Sequence, residues 1–200
     1  MRAIIVVSAP EGSAPSARWD AHAGQAYDAR WAPRDAGVAL SCGADASLAL
    51  WDVRAGARPL CRLAAAHEGD ALAVDWCRTQ PVRFASVSAD QTVRLWDARR
   101  LADAGGRPAP VAVLRGHRRA VRRVRWAPGG RLLYTVGYDM ALRVWDADAR
   151  CPACPADESF SEFATGVDVH ESLVAACAWD QTVRLLSPLR DTSRVHSHSD

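Results

Sequence analysis

The sequence predicts an all-β protein of the β-propeller class. The hexapeptide DQTVRL occurs at residues 90–95 and again, unchanged, at residues 180–185. Between these repeats, short runs in which apolar and polar residues alternate are separated by Gly, Asp and Pro, a pattern typical of β-strands. An aspartate recurs in similar surroundings every 41 to 49 residues, at Asp45, Asp90, Asp139 and Asp180. Four short strands in a period of this length make one propeller blade, so four blades are visible.

The elements follow in order along the chain. Residues 1–18 open with a short apolar run and are interpreted as the remnant of a preceding blade and a linker. Alternating runs such as VRRVRW and LLYTVG then recur until near the end of the chain, and the last residues are polar, as expected for a disordered tail. The blades are predicted at about 19–53, 59–98, 110–147 and 160–188, and the tail at 189–200.

Three blades share a set of four polar and aromatic residues at fixed spacing. The aspartate is expected in the tight turn between the second and third strands, where Asp bonds its own backbone. A histidine before the first strand can bond that aspartate, and a Ser or Thr hydroxyl can link the histidine to a buried Trp indole N–H. We call each set a hydrogen-bond frame; the members are His22, Ser41, Asp45 and Trp51, then His67, Ser86, Asp90 and Trp96, then His117, Thr135, Asp139 and Trp145.

The fourth blade departs from this pattern. Asp180 is retained, but Ala176 replaces the hydroxyl residue, Leu186 replaces the tryptophan, and Phe160 falls near the histidine position. A complete frame cannot form there, so apolar packing is expected to hold this blade together.

The frames also resemble hydrolytic His, Asp and Ser sets, but an enzyme is not predicted. Catalytic sets do not normally recur three times at one spacing, and each member of a frame already has a structural role. The CPAC segment has zinc-ligand spacing, although a zinc site needs two further ligands near Cys151 and Cys154. No cofactor or metal is therefore expected.

Composition argues against several other classes of protein. The net charge of +2 does not favour nucleic acid, and alternation splits the arginines of 118–125 over two faces. No apolar run approaches a membrane span, and the apolar run Ala3–Val7 is too short for a signal peptide. The six cysteines lack a disulfide-scaffold pattern, which favours an intracellular protein with reduced thiols.

From about Trp19 to Pro188 the chain resembles the WD-repeat family, in which the frame residues and the dipeptides Trp51–Asp52, Trp96–Asp97 and Trp145–Asp146 recur. Such proteins usually close a ring of seven blades, so the resemblance implies that the four blades are part of a larger ring. A true four-bladed ring is the alternative. An incomplete ring would leave strand edges unpaired and promote self-association.

Three stretches resemble one subfamily, the receptors for the type 2 peroxisomal targeting signal: 72–78, 116–128, and 162–169 together with 174–188. The resemblance implies a non-catalytic import receptor that cycles between the cytoplasm and the peroxisome. It would bind an N-terminal signal, Arg-Leu-x5-His-Leu in outline, as an amphipathic helix on one face of the propeller, together with a co-receptor. The alternative is a WD-repeat scaffold that binds histone tails or subunits of another complex.

The candidate binding face carries the aspartate turns and the loops that follow the histidines. Carboxylates there could pair with the signal's arginine, and exposed aromatic rings could cover its leucines. Exposed acidic loop residues are also commonly no more than solvated. The candidate peptide-binding residues are Glu68, Asp70, Tyr138, Glu162, Phe163 and Trp179.

Overall fold

A computed structural model describes residues 3–7, 17–56, 58–102, 109–153, 158–171 and 173–187. The predicted tail at 189–200 lies outside these residues, as does most of the predicted linker before residue 17. The described strands are β1 (Ala3–Val7), β2 (Ala17–His22), β3 (Ala26–Ala32), β4 (Asp35–Gly43), β5 (Leu48–Asp52), β6 (Cys61–Leu63), β7 (Ala71–Trp76), β8 (Arg83–Ser88), β9 (Thr92–Asp97), β10 (Ala112–Arg115), β11 (Val121–Trp126), β12 (Leu132–Gly137), β13 (Ala141–Asp146), β14 (Cys151–Pro152), β15 (Glu158–Ser159), β16 (Ala164–His170), β17 (Leu173–Ala178) and β18 (Val183–Leu186).

Strands β3 to β18 form four antiparallel sheets, which confirms the prediction of an all-β propeller. Blade 1 has the order β3-β4-β5-β6, and blade 2 has β7-β8-β9-β10. Blade 3 has β11-β12-β13-β14 with β15 also paired to β13, and blade 4 has β16-β17-β18. The outer strand β6 lies just before the histidine of the second frame in sequence, but it pairs with β5 of blade 1. The repeat seen in the sequence is therefore offset by one strand from the sheet seen in the structure.

A two-stranded ribbon, β1 paired with β2, packs on the side of blade 1 that faces away from blade 2. The Trp19 ring stacks on Trp51 with centroids 5.0 Å apart and planes inclined by 2°. Ala21, Ala39 and Ala49 complete this small buried cluster. The ribbon therefore covers one of the frame tryptophans as a neighbouring blade would.

Apolar layers between consecutive blades form the core. Leu40, Leu48 and Cys42 of blade 1 pack against Trp76 and Phe84 of blade 2, and the same pattern joins blade 2 to blade 3. The innermost strands β3, β7, β11 and β16 are neighbours in that order. Each runs from the turns of Asp45, Asp90, Asp139 and Asp180, which we call the Asp-turn face, towards the opposite face of the propeller.

Side chains of the innermost strands also connect the blades through hydrogen bonds. The Trp76 indole donates to the carbonyl of Arg30 at 3.1 Å, and the Trp126 indole donates to the carbonyl of Asp75 at 3.2 Å. The Trp126 backbone N–H donates to the Asp75 carboxylate at 2.8 Å. These bonds fix neighbouring blades in register, because each uses a polar group that would otherwise be buried without a partner.

One element was not expected from the sequence. A four-residue helix, α1 (Arg99–Ala102), follows β9, and its Leu101 is buried against blades 1 and 2. Within the described residues, no helix is long and apolar enough to cross a membrane.

Candidate functional site

The Asp-turn face begins with four tight turns of the same construction. In blade 2 the Asp90 carboxylate accepts the Thr92 backbone N–H at 2.9 Å and the Thr92 hydroxyl at 2.6 Å. The residue after each aspartate has a left-handed backbone, which is uncommon outside glycine. The φ angles are 58° at Ala46, 69° at Gln91, 61° at Met140 and 65° at Gln181.

Each turn continues into a buried chain of hydrogen bonds where the frame is complete. In blade 2 the Trp96 indole donates to the Ser86 hydroxyl at 2.8 Å, and this hydroxyl lies 2.7 Å from Nε2 of His67. His67 Nδ1 lies 3.0 Å from the Asp90 carboxylate. Because the indole can only donate and the carboxylate only accept, a neutral His67 with its proton on Nδ1 satisfies every member.

The structure brings the predicted residues together in the other two frames as well. His22 lies 3.0 Å from Asp45 and 2.9 Å from Ser41, and His117 lies 2.9 Å from Asp139 and 2.7 Å from Thr135. The Trp51 indole donates to Ser41 at 2.9 Å, and the Trp145 indole donates to Thr135 at 2.8 Å.

Burial and hydrogen bonding set the protonation of the frames. Burial lowers the pKa of His67, and the hydrogen bond that His67 donates to Asp90 only partly opposes this effect. Burial raises the pKa of Asp90, but hydrogen bonds from His67, Thr92 and the Glu68 N–H outweigh it and hold that pKa well below its usual range. His67 is 2% exposed. A histidine so placed has no access to a substrate, so the frame is a structural network.

Blade 4 retains the turn without the rest of the frame. The Ser161 N–H donates to Asp180 at 3.3 Å, as the Glu68 N–H donates to Asp90 at 3.0 Å. This correspondence places Phe160, the residue before Ser161, at the histidine position, where it is buried and has the Arg184 guanidinium 4.7 Å above its ring.

Three of the predicted aromatic residues meet where blades 3 and 4 join. The rings of Tyr138 and Phe163 lie 5.1 Å apart, Phe163 and Trp179 lie 5.3 Å apart, and Tyr138 and Trp179 lie 6.4 Å apart. The Trp179 N–H donates to the Phe163 carbonyl at 3.0 Å. Trp179 is 62% exposed. We call these three side chains the aromatic cluster; its rings touch one another, so it offers an apolar surface rather than a cage around a cation.

The predicted acidic residues differ in their surroundings. Glu68 and Glu162 are exposed. Asp70 is half-buried and accepts a hydrogen bond from the Tyr27 hydroxyl at 2.9 Å. One oxygen of Asp70 therefore already accepts a hydrogen bond within the protein. Among the candidate carboxylates, Glu162 adjoins the aromatic cluster, because it precedes Phe163 in the chain.

Sequence analysis did not single out Tyr27, which the structure places between the acidic and aromatic groups. The hydrogen bond to Asp70 raises the pKa of Tyr27, and the nearby charges of Arg122 and Tyr138 also act on it. Each innermost strand has a β-bulge near its start, and the extra residues are Tyr27, Leu72, Arg122 and Thr165. Their shared position near the start of an innermost strand is the sequence signal that could have identified them.

No metal site is assembled in the part of the chain that the structure describes, since no group of three His, Cys, Asp or Glu side chains converges there. Cys151 is an exposed free thiol, and Cys154 of the CPAC segment lies outside the described residues.

Comparison with known proteins agrees with this architecture. A family model described as WD domain, G-beta repeat, matches residues 58–97 and 108–146. The peroxisomal targeting signal 2 receptor of Mus musculus is 30% identical over 248 aligned residues, which cover 82% of this chain and 78% of the mouse protein. Since 82% of a 200-residue chain is fewer than 248 residues, the mouse protein has positions within the aligned region that this chain lacks.

Two further similarities are to other WD-repeat proteins. The WD-40 repeat-containing protein MSI4 of Arabidopsis thaliana is 35% identical over 104 residues, covering 52% of this chain and 20% of MSI4. The WD40 beta propeller domain of Doa1 superposes with a TM-score of 0.73 at 18% identity, covering 86% of this chain and 54% of that domain. The chain thus spans a fifth of MSI4 and about half of the Doa1 domain, and the Doa1 similarity shows the fold.

Fold, buried frames and open Asp-turn face together define a propeller of repeated blades, an architecture that typically serves as a non-enzymatic scaffold or receptor. The chain belongs to the WD-repeat family.

Proposed function

We propose that this protein is an import receptor for the type 2 peroxisomal targeting signal, which binds the N-terminal helix of its cargo on the Asp-turn face together with a co-receptor. In this role it cycles between the cytoplasm and the peroxisome and catalyses no reaction. The proposal is supported by similarity to the mouse receptor over 82% of the chain. The observation that carries it is the aromatic cluster, an exposed apolar surface on the face where peptide recognition is expected.

The chemistry of the cluster matches one side of an amphipathic helix. Trp179 is mostly exposed although tryptophan is usually buried, and Phe163 and Tyr138 support its ring from two sides. A leucine side chain packed on these rings would remove apolar surface from water. No residue of the frames would have to move. Tryptophan and tyrosine are the residue types that most often dominate binding energy at interfaces.

The exposed carboxylates supply the second element of recognition. An arginine at the start of the signal presents a planar fork that pairs with a carboxylate through two hydrogen bonds. Glu162 is exposed and adjoins the aromatic cluster, and Glu68 is exposed on the loop after His67. Because Asp70 is already bonded to Tyr27, we assign Glu162 and Glu68 the primary contact and Asp70 a supporting one.

Binding of a fluorescent Arg-Leu-x5-His-Leu peptide to the full chain in the presence of the co-receptor tests the proposal. Trp179→Ala should weaken binding about tenfold or more, because hot-spot truncations cost about 2 kcal/mol or more. Trp31→Ala is the matched control, since Trp31 is also half exposed but lies at the opposite end of an innermost strand. Its affinity should equal that of the unaltered protein.

Charge reversal separates the electrostatic part of recognition. Glu162→Arg should weaken binding more at low salt than at high salt, because exposed charge pairs are screened by ions. Glu171→Arg, an exposed glutamate between β16 and β17, is the control. Equal binding of a basic histone-type tail with and without an Arg-Leu start, and no affinity for the signal peptide, would favour the scaffold alternative and end the receptor proposal.

A further inference from the structure

We infer that the face opposite the Asp-turn face binds an acidic, partly apolar peptide segment of a partner protein in a basic groove. Two cavities open there, of about 420 Å³ and 530 Å³. Arg30, Asp75, Trp76 and Arg78 line both cavities, so the two form one continuous groove across the ends of the innermost strands. We call it the basic groove. This inference is independent of the proposed receptor function.

Arginines dominate the charge of the basic groove. Arg30, Arg34, Arg78 and Arg125 line it, facing Asp75, Asp168 and Glu171. Two of the three carboxylates, Asp75 and Asp168, already contact other groups of the protein.

Asp75 accepts the Trp126 backbone N–H at 2.8 Å, and burial raises its pKa. Asp168 forms an ion pair with Arg125 at 3.3 Å. Counted over all lining residues, four arginines face three carboxylates, so the basic groove has a formal excess of one positive charge, and the exposed Arg34 and Arg78 carry the positive charge nearest to solvent.

The two exposed arginines are available to a ligand. Arg34 and Arg78 make no hydrogen bond or ion pair with other described residues, whereas Arg30 forms an ion pair with Asp28 at 3.7 Å. Carboxylates of a bound segment would replace the water on Arg34 and Arg78 and form charge-assisted hydrogen bonds with their guanidinium groups.

An exposed tryptophan gives the groove an apolar end. Trp31 occupies the same strand position as Trp76 and Trp126, which are 5% and 6% exposed, yet Trp31 is 50% exposed. It lines the larger cavity beside Pro33. The Trp76 and Trp126 indoles donate to carbonyls of the preceding blade, whereas the exposed Trp31 ring is free to pack against apolar side chains of a bound segment.

The rim carboxylates favour a peptide over a nucleic acid. Asp168, which is paired with Arg125, and Glu171 lie on the same rim. A peptide can place uncharged backbone N–H groups against them between its acidic side chains, whereas a nucleic acid carries a charged phosphate at every nucleotide.

Fluorescence anisotropy of the full chain with a fluorescein-labelled decapeptide of alternating Glu and Leu tests the inference. The double variant Arg34→Glu/Arg78→Glu should weaken binding about tenfold or more. Arg58→Glu/Arg119→Glu changes net charge by the same amount at exposed sites outside the groove. Its affinity should stay within about twofold of the unaltered protein, since rim charges far from a contact matter little.

Three results would overturn the inference. The first is equal loss of affinity in the two double variants, which would mean that net charge alone attracts the peptide. The second is equal affinity for a Lys-Leu decapeptide. The third is a single-stranded 12-nucleotide DNA that binds as tightly as the Glu-Leu peptide and loses affinity in Arg34→Glu/Arg78→Glu, which would make the groove a nucleic-acid site.

Discussion

Blades 2 and 4 contain the same hexapeptide in the same turn and third strand, but its side chains have opposite environments. Val93 and Leu95 are 0% and 2% exposed, whereas Val183 and Leu185 are both 69% exposed. In blade 2 these side chains pack against the next blade, and in blade 4 no described residue covers them. Identical local sequence thus gives a third strand at the same place, although β9 has six residues and β18 has four, while burial is decided by what lies beside the strand.

The turn itself is the same in the two blades. The Thr92 hydroxyl donates to Asp90 and the Thr182 hydroxyl to Asp180, both at 2.6 Å. The long-range partners differ. Asp90 also bonds the buried His67 and pairs with Arg94 at 3.2 Å, while Asp180 bonds Ser161, which is exposed. The comparison separates the turn geometry, which the six residues specify alone, from the long-range hydrogen bonds, which the frame adds.

The largest difference is expected from truncating the same leucine in both blades. Leu95→Ala should destabilise the protein by about 2–5 kcal/mol, because it leaves a cavity in a packed core. Leu185→Ala should change stability by less than about 0.5 kcal/mol, as exposed substitutions usually do. Urea unfolding of both variants measures this difference. A large loss in Leu185→Ala would show that this face is covered in solution, by a second copy or by further chain.

Removing the shared aspartate should give a smaller but still unequal effect. Asp90→Ala leaves His67 and the Glu68 N–H without an acceptor, and a buried unsatisfied group costs about 1–3 kcal/mol. Asp180→Ala should reduce stability less, because its partners are exposed and can bond water. Thermal unfolding of both variants provides the measurement. Equal shifts in Tm would mean that the turn, and not the frame, accounts for the stabilisation.

Acidification should weaken the frames of blades 1 and 2 before it affects blade 4. Burial lowers the pKa of His22 and His67 in the folded protein below the ordinary value of 6.5, so the unfolded chain binds more protons between these values. Stability should therefore be full above about pH 6.5 and fall as the pH drops below it, with a further loss at lower pH when Asp45 and Asp90, whose pKa values are lowered, become protonated.

Comparing Tm at pH 7.5 and pH 5.5 tests this dependence. His67→Gln should reduce the change in Tm between the two pH values, whereas His170→Gln, at an exposed position in blade 4, should leave it as in the unaltered protein. A Tm that is the same at both pH values would show that the frame histidines are not held neutral by burial.

These contrasts also show how much the sequence could predict. The blades and the members of each frame could be located because His, Asp and Trp recur at fixed spacing, and Tyr138 and Trp179 because each precedes a turn aspartate. The bond from Tyr27 to Asp70 joins two blades, and the basic groove collects residues from four, so neither leaves a local pattern. The exposure of Leu185 could not be predicted at all, since the same six letters are buried in blade 2.

The smallest effect is expected where the two blades are alike. Gln91 and Gln181 both have a left-handed backbone, with φ of 69° and 65°, which costs a residue with a Cβ about 1–2 kcal/mol. Replacing either by Gly removes that cost but adds about 0.5–1 kcal/mol of backbone entropy to the unfolded chain, so each variant should gain at most about 1.5 kcal/mol. Because the strain arises within the turn and not from neighbouring blades, Gln91→Gly and Gln181→Gly should change the free energy of unfolding by the same sign and within about 0.5 kcal/mol of each other. Parallel urea titrations measure both values. A clear gain in blade 2 with none in blade 4 would contradict the view that the hexapeptide forms its turn independently of its surroundings, and would assign part of the turn's geometry to the frame around Asp90.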